Sequence, residues 1–127
     1  MVWDLDEFDA LLLKAIDDVF TEVFGKINMQ IIYDYLEKKS CPMSEVCQKL
    51  EVFSMELGIL LGSGRGQILG PASILERTVL SVLCSRIGIA YDPEKTDFSI
   101  CVRELKEVWK QRKQASLPRV EMEVKNP

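Results

Sequence analysis

The sequence predicts an all-α domain: a compact bundle of five or six helices with a glycine-rich loop. Three observations predict it. Apolar residues recur with a 3.6-residue period in stretch after stretch. Two capping-box patterns, Asp4-x-x-Glu7 and Ser73-x-x-Glu76, mark helix starts. No segment reads as a strand apart from a weak alternation in Val120–Val124.

The first helix is expected at about 4–24. Asp4 serves as N-cap, and Trp3 and Phe8 stand as a hydrophobic staple around it. Leu5, Phe8, Leu12, Ile16, Val19, Phe20 and Val23 form its apolar stripe, and Gly25 sits where a C′ glycine belongs. Leu11, Leu13 and Phe24 widen that stripe beyond one face, so the helix is central in the bundle or shared with a second subunit.

A second helix is expected at 28–39, with Met29, Ile32, Tyr33 and Leu36 inward. It ends at Ser40-Cys41-Pro42, because the residue before proline disfavours helix. Ser44, Cys47 and Leu50 suggest a short helical turn. Phe53, Leu57, Leu60 and Leu61 line one side of a third helix at 51–61. Pro71 suits a first-turn position of the next, at 72–87, which carries Leu75, Val79, Val82, Leu83 and Ile87 and stops at Gly88. Thr96 or Asp97 caps the last, at 97–114, whose inner residues run from Phe98 to Trp109. Its last turn is basic, as the helix dipole prefers. One domain over 4–115 and a loose tail at 116–127 account for the 127 residues. A chain of this length buries roughly two-thirds of its unfolded surface.

Composition excludes several classes. The net charge of −4 and pI near 4.9 argue against a dedicated nucleic-acid binder. An acidic start is the wrong sign for a secretory signal, and no uncharged apolar run is long enough to span a membrane. A cytoplasmic protein is expected. Cys41, Cys47, Cys84 and Cys101 show no C-x-x-C spacing and read as reduced, buried thiols rather than disulfides or metal ligands.

The charge is unevenly spread. Residues 4–24 hold seven acids against Lys14, whereas 103–113 hold five bases against Glu104 and Glu107. Such faces are either simply solvated, or these helices lie side by side or meet across a subunit interface. A homodimer is the expectation, since closed two-fold pairing is the commonest oligomer.

The chain has no histidine, which removes histidine-based acid–base catalysis and most zinc and iron sites. Carboxylate chemistry is the alternative. Asp6/Asp9 and Asp18/Glu22 share helix faces, and Glu104-x-x-Glu107 matches half of the paired acidic motif of all-helical nucleotide pyrophosphohydrolases. A metal-dependent nucleotide-handling hydrolase is therefore the second reading; no cofactor is called for.

Five of the seven glycines fall between Gly58 and Gly70. The run lacks Gly-Lys-[Ser/Thr] and a preceding strand, so it is neither a Walker loop nor a dinucleotide fingerprint. Gly64, Arg65 and Gly66 are the anion-binding candidates, as a backbone nest with one guanidinium. The plain reading is a helix-to-helix connector.

Three segments in order, Ile32–Lys39, Phe53-x-x-x-Leu57-x-x-x-Leu61-Gly62-Ser63-Gly64, and Ile74-Leu75-Glu76-x-x-Val79 on to Ile89, resemble the small archaeal helical domain of the Nitrosopumilus output domain family. The likeness covers about residues 5–89. An insertion at roughly Arg65–Pro71 and the basic last helix depart from that pattern. The resemblance implies a helical fold, signalling output or partner binding, and no catalytic residues.

Overall fold

Glycine 25 decides how the chain begins. The computed structural model describes residues 7–62, 64–65, 68–95 and 97–115. Helix α1 (Glu7–Lys38) is broken at Gly25, where φ is 81° and ψ 162°. That backbone region is essentially glycine-only. Two side-chain contacts show what the break does. Thr21 donates to the Met29 sulfur at 2.9 Å, and the Tyr33 hydroxyl donates to Asp17 Oδ1 at 3.0 Å. Both pairs straddle Gly25 symmetrically, so the two arms of α1 run antiparallel as a helical hairpin. In a straight helix, sixteen residues would separate Asp17 from Tyr33 by about 24 Å. Asn28 Nδ2 donates to the Phe24 carbonyl at 3.1 Å, satisfying an acceptor that the break leaves open.

A 3-10 helix at Met43–Gln48 and helix α2 (Leu50–Leu61) follow. The chain then makes a two-residue antiparallel pairing, β1 (Gly64–Arg65) with β2 (Ile68–Leu69). Helices α3 (Pro71–Ile87) and α4 (Phe98–Ala115) complete an all-α bundle of the expected helices. Described backbone outside 64–69 contains no strand. The residues expected to cap and staple the first helix, Trp3, Asp4 and Leu5, lie outside the described residues, as does the 116–127 segment.

The core follows the periodicities. Phe8, Leu12, Ile16 and Phe20 of the first arm are fully buried, and Ile32 and Leu36 of the second arm join them. Phe53 and Leu57 enter from α2, Leu75, Val79 and Leu83 from α3, and Phe98 and Val102 from α4. Aromatic rings link the layers. Phe20 meets Phe53 with centroids 6.3 Å apart and planes nearly parallel, and Phe53 meets Phe98 at 5.8 Å.

Two caps resolve differently from one another. Asp97 caps α4, with its Oδ1 accepting from the Ile100 N–H at 3.0 Å. That hydrogen bond, then the Ser99 hydroxyl, holds the Asp97 carboxyl below its usual range. The expected Ser73/Glu76 box does not form. Helix α3 starts at Pro71, with its N-cap, Gly70, three residues before Ser73, so Ser73 is already inside the first turn. Glu76 instead accepts from the Ser54 hydroxyl of α2.

The acidic first arm and the basic last helix meet through side chains. Lys106 of α4 reaches Asp9 at 2.9 Å with both side chains largely covered, and Phe8 packs on Trp109 at 6.0 Å. Lys113 meets Glu7 in the open at 2.8 Å. Two of the ion pairs that the charge pattern allows, Lys106–Asp9 and Lys113–Glu7, thus form within one chain. Leu11, Leu13 and Phe24, which widened the first stripe, are likewise packed against the core.

Candidate binding surface

The second arm of α1 carries Ile27, the most exposed large apolar residue of the described chain. Its inward face, Met29, Ile32 and Leu36, packs into the core as the spacing requires. That choice turns Ile27 and Ile31 outward, one turn apart, and they are 80% and 60% exposed. Val23, just before the break, is 55% exposed. Scattered apolar residues on a surface are ordinary, but adjacent large aliphatics on one helical face mark a contact.

Beside the isoleucines runs a polar row at i, i+4 spacing: Lys26, Gln30 and Asp34, all exposed. Neither Lys26 nor Asp34 has an ion-pair partner among the described residues. The hydrogen bond from Tyr33 to Asp17 and one from Tyr35 to Glu56 at 2.9 Å hold this arm to the rest of the bundle. Burial, then the neighbouring Asp17, pushes the Tyr33 hydroxyl well above the usual tyrosine range. It therefore stays a hydrogen-bond donor at every physiological pH.

A second apolar region lies between α2 and α3, where Met55, Gly58, Ile59 and Ala72 line a groove with Glu76 and Ser54. Burial holds the Glu76 carboxyl above its usual range, while the Ser54 hydroxyl pulls it down. An acid whose folded pKa lies above its unfolded value of 4.5 binds its proton more tightly when folded. Its contribution to stability is therefore greatest in acid and falls as pH rises through 4.5 toward the raised value. Glu76→Gln removes that slope. Thermal melts should show the variant more stable than the wild type near neutrality (about pH 7), with the gap closing toward about pH 4. A constant difference across that range would refute the assignment.

Of the anion candidates, Gly64 and Arg65 form β1, with Gly64 opposite Leu69 and Arg65 opposite Ile68. Gly66 and the Arg65 side chain lie outside the described residues. The Ala72 N–H, one of the donors at the start of α3, is taken by the Gly62 carbonyl at 3.0 Å, which pins the base of the hairpin. A run of two residues has no periodicity to read, which is why the sequence showed only a loop here.

Of the carboxylates proposed for metal chemistry, Asp9, Asp18 and Glu104 have other work, whereas Glu22 and Glu107 stand exposed. Asp9 holds Lys106. Asp18 takes Lys14 at 3.0 Å and Arg86 of α3 at 2.8 Å, and these two cations keep its carboxyl below the usual range. Glu104 pairs with Lys95 at 2.7 Å. Asp6 lies outside the described residues. Among the described residues, no three histidine, cysteine or acidic side chains converge as metal ligands.

All four cysteines are free thiols, with Cys41, Cys84 and Cys101 buried. Burial pushes each of these three above the usual thiol range. No helix among the described residues is long and apolar enough to cross a membrane. No protein-family model matches this chain, and neither a curated protein nor a solved structure does.

Proposed function

We propose that the protein acts by binding rather than by catalysis, as a small interaction module whose contact surface is the second arm of α1 and whose partner there is a second copy of the chain. The observation that carries this reading is the outward pair Ile27 and Ile31, exposed at 80% and 60% on a helix otherwise anchored in the core. Fully burying an isoleucine contributes roughly 1.5–3 kcal/mol, and a two-fold contact buries each residue twice over.

The polar row selects the partner. When two copies of this arm pack antiparallel about a two-fold axis at Gln30, Lys26 of each lies opposite Asp34 of the other. The same row then meets itself with opposite signs, while the isoleucines interleave beside it. A parallel pairing would set Lys26 against Lys26. One short arm makes a contact at the small end of stable interfaces, so the dimer forms in the micromolar range. The resemblance to an output domain supports a signalling role for such pairing, and the buried reduced thiols suit a cytoplasmic setting. The hydrolase alternative would require Asp9 and Asp18 to leave Lys106 and Arg86.

Sedimentation at micromolar concentrations tests this directly. Wild type is expected to be a dimer, and Ile27→Asp a monomer with an unchanged far-ultraviolet spectrum. Lys26→Asp or Asp34→Lys alone should weaken association at least several-fold, and the double exchange should restore it. A wild type that stays monomeric throughout would sink the reading.

A further inference from the structure

The groove between α2 and α3 has an acid at one end and carbon at the other. Ser54 and Gly58 of α2 stand one turn apart along it, as do Ala72 and Glu76 of α3. The hydrogen bond from the Ser54 hydroxyl to Glu76 Oε2 joins the two walls at the polar end. Met55, Ile59 and Ala72 make the apolar end, where Gly58 leaves room by carrying no side chain. Just beyond, the Ala72 N–H donates to the Gly62 carbonyl at 3.0 Å, so backbone links the walls there. The space is about 340 Å³, at the low end of the range for small-ligand sites, about 300–1,000 Å³.

Among the described residues, Glu76 has no counter-cation. It enters no ion pair there, and its side-chain hydrogen bond is with Ser54 alone. Its Oε1 accepts from none of them, yet it is not one of their fully buried unpaired atoms, so solvent still reaches it. Burial, and after it the like charge of Asp97, raise its carboxyl against the pull of the Ser54 hydroxyl. The surrounding charges are engaged. Arg103 pairs with Glu51 at 2.6 Å, Arg77 donates to the Pro93 carbonyl, and Asp97 accepts from the Ile100 N–H. A carboxylate withdrawn from water is normally matched by a cation.

We infer that this groove is a binding site for a short, free aliphatic amine in its ammonium form. The ammonium donates to Glu76 Oε1 and to the Ser54 oxygen, which can accept while its own proton goes to Oε2. The alkyl chain lies over Gly58 between Ala72 and the side chains of Met55 and Ile59, of which methionine is the more adaptable. A groove one turn long, with its walls linked by backbone at the apolar end, suits a free amine. A partner helix would need anchors spread over several turns. An anion is repelled by Glu76 and Asp97, and a neutral alcohol leaves the carboxylate without its cation.

Pentylammonium, 1-pentanol, pentanoate and a lysine blocked at both backbone ends are titrated into the full-length protein at neutral pH, followed by backbone amide resonances. Pentylammonium is expected to move Ser54, Gly58 and Glu76 saturably and to bind at least about tenfold more tightly than the alcohol, the worth of a charge-assisted hydrogen bond. Pentanoate should not bind, and the blocked lysine should bind more weakly than the free amine. Glu76→Gln keeps the shape and removes the charge. It should weaken pentylammonium by at least about tenfold and leave 1-pentanol unchanged. The ranking of the four probes on the wild type tests the site even if that variant folds poorly. No saturable shift, shifts confined to other residues, equal binding of amine and alcohol, an amine preference that survives Glu76→Gln, or tighter binding of the blocked lysine would each overturn the proposal.

Discussion

Replacing Phe53 with alanine should lower the unfolding free energy by about 3–5 kcal/mol, the usual cost of emptying a buried phenylalanine site. The ring is 1% exposed and fully surrounded by the core. It stacks on Phe20 from the first arm of α1 and meets Phe98 at the start of α4. Phe20 in turn contacts Phe24 at 5.9 Å and Tyr33 at 6.3 Å, so one side chain of α2 joins both arms of the hairpin to the last helix. Each such ring pair is worth about 0.5–1.5 kcal/mol beyond its buried area. A domain of this kind has only about 5–15 kcal/mol in hand. Urea unfolding followed by circular dichroism will read the loss directly, and Phe53→Leu should recover much of it. A change under about 1 kcal/mol would mean that the core collapses around the gap.

Gly25→Ala should destabilise the protein by about 1–3 kcal/mol, although no atom lies within 4 Å of the added methyl group. The penalty is entirely in the backbone, since an L-residue is strained at φ 81° and ψ 162°. Alanine also favours continuous helix over glycine by about 1 kcal/mol. Both effects push the hairpin toward a straight rod, which would pull Tyr33 away from Asp17. Chemical denaturation measures the cost. D-Alanine introduced by semisynthesis takes positive φ without strain and should restore stability. If L-alanine and D-alanine behave alike, the break is not held by the torsion angles of residue 25.

These two positions show what was legible and what was not. Gly25 is readable as the end of a helix from its place after the apolar stripe. That the chain then doubles back is not, because it rests on contacts eight and sixteen residues apart that have no local signature. The inner faces of α2, α3 and α4 were readable because burial enforces their period, yet Val108 and Leu60, both predicted inward, stay more than a third exposed. Ser73 and Glu76 had the right spacing for a cap, but the glutamate finds its partner across the interface with α2. The isoleucines of the second arm follow once Met29, Ile32 and Leu36 are assigned inward.

The contact between α1 and α4 also has a topological consequence. Lys106 and Asp9 lie 97 residues apart in sequence, whereas Tyr33 and Asp17 lie 16 apart. Loop-closure entropy grows only with the logarithm of length, so the long closure costs about 1.6 kcal/mol more than the short one. That difference is comparable to what one well-packed aromatic pair contributes. The Phe8–Trp109 contact and one covered ion pair offset that difference and tie the last helix back to the first arm.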